Sequence, residues 1–359
     1  MQSASWTSIG RATYDPGMES PLATTPDAAP TSTAAGTAAP PATTATPTVL
    51  RVGPLMPQLE QELIAEFDAP VISAVASELT GEQEAQLADV RVVVTGGRFG
   101  VSRALMERLP SLEAIVNFGV GYDTTDTSAA RELGIALSNT PDVLNDCVAD
   151  TAMSLLLDVY RGISTSDRYV RAGSWKASGN FPLTTRFTGT RVGIVGLGRI
   201  GSAIAKRLSG FGCPISYHNR REVPGSPFRY VDSLVELARS NDALVVAAAG
   251  GADSQKLISA EVLEALGTSG VLVNISRGSV VDEDALVSAL QAGTIRGAGL
   301  DVFADEPNVP DALIGLENVV LLPHLGSGTR ETRDDMRQLV VDNLRSWLAH
   351  GTLVTPVEL

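Results

Sequence analysis

The sequence predicts an α/β fold of doubly wound parallel sheets. Short β-branched and aliphatic runs recur along the chain, each followed by apolar residues at three- and four-residue spacing, the alternation that βαβ units require. Glycine-rich or polar loops stand directly after several of these runs, where such sheets bind ligands. The 359 residues, 44% of them apolar, suffice for about two domains with full cores.

In chain order, residues 1–48 come first and stand apart. Thr, Ala and Pro dominate, and only Arg11, Asp15, Glu19 and Asp27 are charged. So little apolar surface cannot offset chain entropy, and the segment is expected to be a disordered tail. It has neither the basic start nor the apolar run of a signal peptide. The folded part opens with a strand at 49–52, followed by strands at 90–94 and 114–117. Loops 95–100 and 119–121 follow the last two; they read either as tight turns or as backbone N–H groups offered to a carboxylate. Residues 143–161 have a helical pattern, with Val148, Met153, Leu155, Leu156 and Val159 apolar, and a less regular stretch at 163–189 carries Trp175. Apolar runs at 192–195, 215–217, 243–246, 271–274 and 319–322 read as strands of one sheet. The last helix, about 330–349, spaces Met336, Val340, Leu344 and Trp347 along one face.

Directly after the run at 192–195 stands Gly196-Leu197-Gly198-Arg199-Ile200-Gly201. Strand, G-x-G-x-x-G, amphipathic helix and a further strand form the context of a Rossmann-like dinucleotide site. Its first glycine makes the turn, the second admits the pyrophosphate, and the third lets helix and strand pack closely. Such a nucleotide sits on the helix N-terminus, where free N–H groups and the dipole favour an anion. Its type is read at the end of the next strand. A chain that binds NAD usually carries an acid there for the ribose hydroxyl. This chain has Asn219-Arg220-Arg221 instead, which suits a 2′-phosphate and predicts NADP(H) over NAD(H). Two solvated surface arginines are the plain alternative.

Composition excludes several roles. With 41 acidic and 27 basic residues the net charge is −14, which opposes binding to nucleic acid or an anionic membrane. No apolar run approaches a membrane span. The cysteines, Cys147 and Cys213, are too few for a disulfide framework or a zinc site, so no metal is expected and the chain reads as reduced and cytoplasmic.

Three side chains lie in loops that follow runs of strand or strand-like character: Arg277, Glu306 and His324. Together they suit the reduction of a ketone. A guanidinium binds carboxylate and carbonyl oxygens with several donors. Histidine titrates near neutrality and serves as general acid/base. A glutamate accepting its second N–H fixes the tautomer. Singly, each has a bland alternative as a helix cap, a surface charge or a packed ring.

From these residues onward the chain resembles the D-isomer-specific 2-hydroxyacid dehydrogenases over roughly 49–359, and within them the NADPH-dependent glyoxylate/hydroxypyruvate and hydroxyphenylpyruvate reductases. The matching stretches are Gly119–Asp123, Thr140–Leu144, Gly196–Gly201, Asn274–Gly278, Gly299–Pro307 and Leu321–Thr329. The resemblance implies catalytic Arg277, Glu306 and His324, and places Asp301 near the nicotinamide amide. It assigns carboxylate binding to Val120 and Gly121, with Gly97 in the neighbouring loop. The substrate is expected to be a small 2-oxoacid or 2-hydroxyacid. A substrate domain of 49–145, completed by 330–359, is expected beside an inserted NADP domain of 146–329, with the active site in the cleft between them. A homodimer through the cofactor domain is also implied, the 163–189 arm reaching the partner. Where many members have a Pro-Leu-Thr type turn, this chain has Ala249-Gly250-Gly251. Two other functions stay open: an NAD-linked enzyme such as a phosphoglycerate dehydrogenase, and a nucleotide-sensing binding protein like the corepressors that share the fold.

Overall fold

The computed structural model describes residues 48–359 apart from 73–84 and 86. All but Thr48 of the expected disordered tail lies outside the described residues. Two parallel sheets organise the rest. The first has five strands, β1 (Val49–Val52), β2 (Val71–Ile72), β3 (Val92–Gly96), β4 (Ala114–Phe118) and β5 (Ala136–Ser138), in the order β2-β1-β3-β4-β5. The second has seven, β6 (Val192–Val195), β7 (Ile215–His218), β8 (Arg229–Tyr230), β9 (Ala243–Val246), β10 (Val271–Asn274), β11 (Gly297–Leu300) and β12 (Val319–Leu321), in the order β12-β11-β10-β9-β6-β7-β8. Every ladder pair within both sheets is parallel. Helices cover the faces of such sheets, so the inner strands read as unbroken apolar runs, as β9 and β10 do.

Each order reverses once, between β1 and β3 in the first sheet and between β6 and β9 in the second. At those points the outgoing helices leave on opposite faces and a crevice opens beyond the strand ends. The loop after β3 and the Gly196–Gly201 turn after β6 stand there.

Besides β3, which runs two residues later than the expected 90–94 and takes in Thr95 and Gly96 that read as loop, four elements depart from expectation. The edge strands β2 and β8 are two residues long, too short for a periodicity signal, and β5 spans three. The fourth is β11. Residues 299–300 read as loop because Gly297-Ala298-Gly299-Leu300 has low β-propensity. Tertiary contact overrides that preference. A Cβ on Gly299 would lie 2.9 Å from Leu155 Cβ, and one on Gly297 would lie 2.6 Å from Asn318 O, so only small residues let the strand pass under the helix Asn145–Arg161. The irregular stretch expected at 163–189 contains two short helices, Ile163–Arg171 and Ser174–Ser178, neither of which buries a residue.

The helix Asn145–Arg161 packs on β10, β11 and the helix Arg199–Gly210 of the second sheet. The helix Arg330–His350 returns to β4 of the first. There Arg345 pairs with Glu66 at 2.6 Å, and Val357 N donates to Leu137 O at 2.8 Å beside β5. No helix among the described residues is long and apolar enough to cross a membrane.

Candidate active site

The fingerprint turn is built as its glycines require. Gly196 has φ 99°, and a Cβ there would lie 2.6 Å from Ala248 N. On Gly201 a Cβ would overlap Gly196 O, so the third glycine sets the close helix–strand approach. Beside Gly198 a Cβ meets nothing within 4 Å. That open side, at the N-cap of a helix with no side-chain cap, is a cradle that fits a pyrophosphate. Ile200 packs against the core beneath it. Arg199 reaches Asp142 Oδ1 at 3.0 Å on the surface.

Asn219 Oδ1 accepts from Leu197 N at 2.6 Å, tying the end of β7 to the turn. The loop that follows is held by two tyrosines: Tyr230 Oη donates to Asn219 O at 3.2 Å, and Val223 N donates to Tyr217 Oη at 2.9 Å. Arg220 and Arg221 stand out into solvent from it, Arg220 beside Asp253 at 3.2 Å.

Across from this turn, the loop after β4 is shaped by asparagines. Asn117 Nδ2 donates to Gly119 O and Gly121 O, both at 3.0 Å, and Asn139 Nδ2 donates to Val120 O at 2.9 Å. In a trans peptide the N–H points opposite the C=O. Drawing the carbonyls of 119 and 120 inward therefore turns the amides of Val120 and Gly121 outward. The Arg277 guanidinium fills the space beside them. Its Nε donates to Asp123 Oδ1 at 3.0 Å, its Nη1 donates to Ser276 O at 2.8 Å, and its Nη2 lies 3.6 Å from where a Gly97 Cβ would stand. A Cβ on Gly121 would overlap Nη2, and one on Gly250 would come within 2.7 Å of Arg277 Cγ. Glycines at 97, 121 and 250 thus make room for one side chain. Asn274 holds its loop by donating from Nδ2 to Arg277 O at 2.9 Å.

His324 is one of the few non-glycine residues at positive φ, 56°. Such backbone is sparsely populated and persists where the surroundings impose it. Asp301 imposes it here: Asp301 O accepts from His324 N at 2.9 Å, and its carboxylate accepts from Leu325 N at 2.5 Å and Gly326 N at 2.8 Å. Burial pushes the Asp301 carboxyl above the ordinary aspartate value, against the lowering pull of those amides. The Asp301 carboxylate, expected beside a nicotinamide, thus fixes the histidine loop. His324 Nδ1 donates to Glu306 Oε2 at 2.8 Å. A carboxylate only accepts, so the proton is fixed on Nδ1 and Nε2 is left for exchange. Burial alone would raise the Glu306 carboxyl, yet hydrogen bonds from His324 and Arg98 hold it down at about 2.

Arg98 was not anticipated. Its Nη2 donates to the same Glu306 Oε2 at 2.9 Å. Gly97 and Arg98 therefore join the site: one borders Arg277, the next touches Glu306. No hydrogen bond or ion pair links Arg277 to His324 among the described residues. Asp123, Asn117, Asn139 and Asn274 were also missed; their signal is a polar side chain at or just after the end of an apolar strand. No group of three or more His, Cys, Asp or Glu able to hold a metal occurs among the described residues.

Residues 153–326 match the family model described as "D-isomer specific 2-hydroxyacid dehydrogenase, NAD binding domain". The chain is 46% identical over 309 residues to glyoxylate/hydroxypyruvate reductase A of Arabidopsis thaliana, covering 86% of this chain and 98% of that one. It belongs to the D-isomer specific 2-hydroxyacid dehydrogenase family. Within that family it is also 52% identical over 272 residues to hydroxyphenylpyruvate reductase of Plectranthus scutellarioides, 76% of this chain and 87% of the relative. Among solved structures, the NADPH-dependent glyoxylate/hydroxypyruvate reductase of Sinorhizobium meliloti, in complex with NADP and malonate, superposes with a TM-score of 0.82 at 46% identity, covering 87% of this chain and 97% of that one. The dehydrogenase is thus an NAD(P)-dependent oxidoreductase, and its fingerprint turn lies within the matched span.

Proposed function

We propose that this dehydrogenase reduces 2-oxoacids of the glyoxylate and hydroxypyruvate type to D-2-hydroxyacids, with NADPH preferred over NADH. The observation that carries this reading is the Glu306–His324 pair, which leaves Nε2 as the only ring position able to pass a proton to substrate. Bound reduced nicotinamide supplies the hydride. Arg277 grips the substrate carboxylate from its Nη2 edge, assisted by the amides of Gly97, Val120 and Gly121. His324 Nε2 protonates the carbonyl oxygen as charge develops there. Asp301 positions the histidine.

For the nucleotide, Asn219 removes the charge that would repel a 2′-phosphate, and Arg220 and Arg221 supply attraction. The Sinorhizobium relative, held with NADP, supports this reading. We read 49–145 with 330–359 as the substrate lobe and 146–329 as the cofactor lobe, because the helix at 145–161 packs on the second sheet and the last helix on the first. The uncovered apolar side chains of the 163–189 arm, Ile163, Val170, Trp175 and Leu183, support a homodimer.

Steady-state oxidation of NADPH, with NADH in parallel, against glyoxylate, hydroxypyruvate and hydroxyphenylpyruvate tests the proposal. Turnover with at least one, and a higher kcat/KM with NADPH, is expected. A ratio below one overturns the cofactor preference. No turnover with any 2-oxoacid overturns the activity in favour of a nucleotide-binding protein.

A further inference from the structure

Two charged side chains from loops of the second sheet, Arg277 and Glu306, are each met by an opposite charge from a loop of the first. Arg277 is met by Asp123 at 3.0 Å, Glu306 by Arg98 at 2.9 Å. The second contact is the unusual one, because Glu306 already has a partner. Its Oε1 accepts from Phe303 N at 3.2 Å, and its Oε2 accepts both the His324 Nδ1–H and the Arg98 guanidinium. Arg98 stands on the loop after β3, half-exposed at the mouth of the site, next to Gly97.

We propose that Arg98 is a positioning residue for proton transfer: its guanidinium locks Glu306 Oε2 toward the imidazole and takes a share of that carboxylate's charge, making His324 a readier proton donor. The inference rests on His324 being the acid of the proposed reduction. Two physical effects act together. Geometrically, a carboxylate oxygen held by a fixed second donor cannot swing away from Nδ1. Electrostatically, a carboxylate left to the imidazolium alone stabilises its charge, and a neighbouring cation weakens that stabilisation. The other charges facing the pair are Asp301 under the histidine loop and Arg333 of the last helix, which acts on Asp301. Arg277, paired with Asp123, stands beside Gly97, the neighbour of Arg98. None of these hydrogen-bonds to Glu306, although the Asp301 charge repels it.

The test compares wild type with Arg98→Ala, Arg98→Gln and Arg98→Lys, reading kcat and KM for hydroxypyruvate with NADPH across pH. Reduction consumes the protonated imidazole, so kcat falls on the alkaline side. Loss of the Arg98 charge should move that limb to higher pH by about half a unit or more. It should also lower the plateau kcat roughly tenfold, part of the ~10²–10⁴ that general acid catalysis contributes, with KM little changed. Lysine should restore the limb, whereas glutamine, which hydrogen-bonds without charge, should not. NMR titration of the His324 ring gives a second readout that needs no turnover and should move in the same sense. Coincident limbs in all four proteins, or a kcat loss equal at every pH, overturn the proposal. His324→Ala separates the levels: if that variant keeps the wild-type alkaline limb, the histidine is not the acid and both readings fall. If it loses the limb and the Arg98 variants do not move it, this inference alone fails.

Discussion

Gly121 shows how one missing atom sets the site. A Cβ there would occupy the place of the Arg277 Nη2, the far end of a flexible side chain. Gly121→Ala should therefore displace the guanidinium and leave the fold intact. Small misplacements of a substrate clamp cost about 10² in rate. We expect kcat/KM for a 2-oxoacid to drop by about that factor with an unchanged melting temperature; equal kinetics would show that Arg277 does not grip substrate. At this scale the sequence was informative where chemistry is rare. Only three histidines exist, and Arg277, Glu306 and His324 stood out by residue type together with their place in loops after strand-like runs. The Arg98 that shares Glu306 was invisible because its partner lies 208 residues away. The asparagines that aim the backbone bond closer in the chain and left only a polar residue at a strand end as their mark.

Among the elements, legibility followed unbroken apolar runs rather than burial, since β11 is fully buried too. β6, β9 and β10, apolar on both faces, were readable to the residue. The strand β11 was not, because its glycines answer to the helix above it rather than to their own propensity. Gly299→Val tests this reading. The added methyls would push against Leu155, and overpacking of this kind costs about 1–3 kcal/mol. Urea denaturation should show a loss in that range, while no loss would mean that helix and strand can separate freely. The 163–189 arm offers the converse case: Phe187 is buried against the core, while Ile163, Val170, Trp175 and Leu183 stay largely exposed among the described residues. Trp175 is 60% exposed. If the arm embraces a second copy, Trp175→Glu should convert a dimer into a monomer in sedimentation velocity; an unchanged sedimentation coefficient would place the interface elsewhere.

Across the whole molecule, stability and pH are linked through the same carboxylate that serves the site. Glu306 falls from an ordinary 4.5 to about 2 in the folded chain. A depressed acid stabilises the fold above its unfolded value, and that stabilisation fades as pH drops through the window between the two. Wild type should thus lose stability between about pH 4.5 and about 2 by a route that Glu306→Gln lacks, and the gap between their melting temperatures should narrow over that window. A constant gap would show that Glu306 is not held by the folded state.

One feature of the cleft bears on what the enzyme meets in a salty medium. With Asp123 against Nε and a carbonyl against Nη1, Arg277 carries its own resident counter-ion and shows only one edge outward. Chloride or sulfate finds half the guanidinium already neutralised, whereas a 2-oxoacid brings a carboxylate and a carbonyl together. Asp123→Asn should strip that guard: inhibition by chloride should strengthen severalfold while the chain stays folded, and an unaltered inhibition constant would show that Asp123 shields nothing.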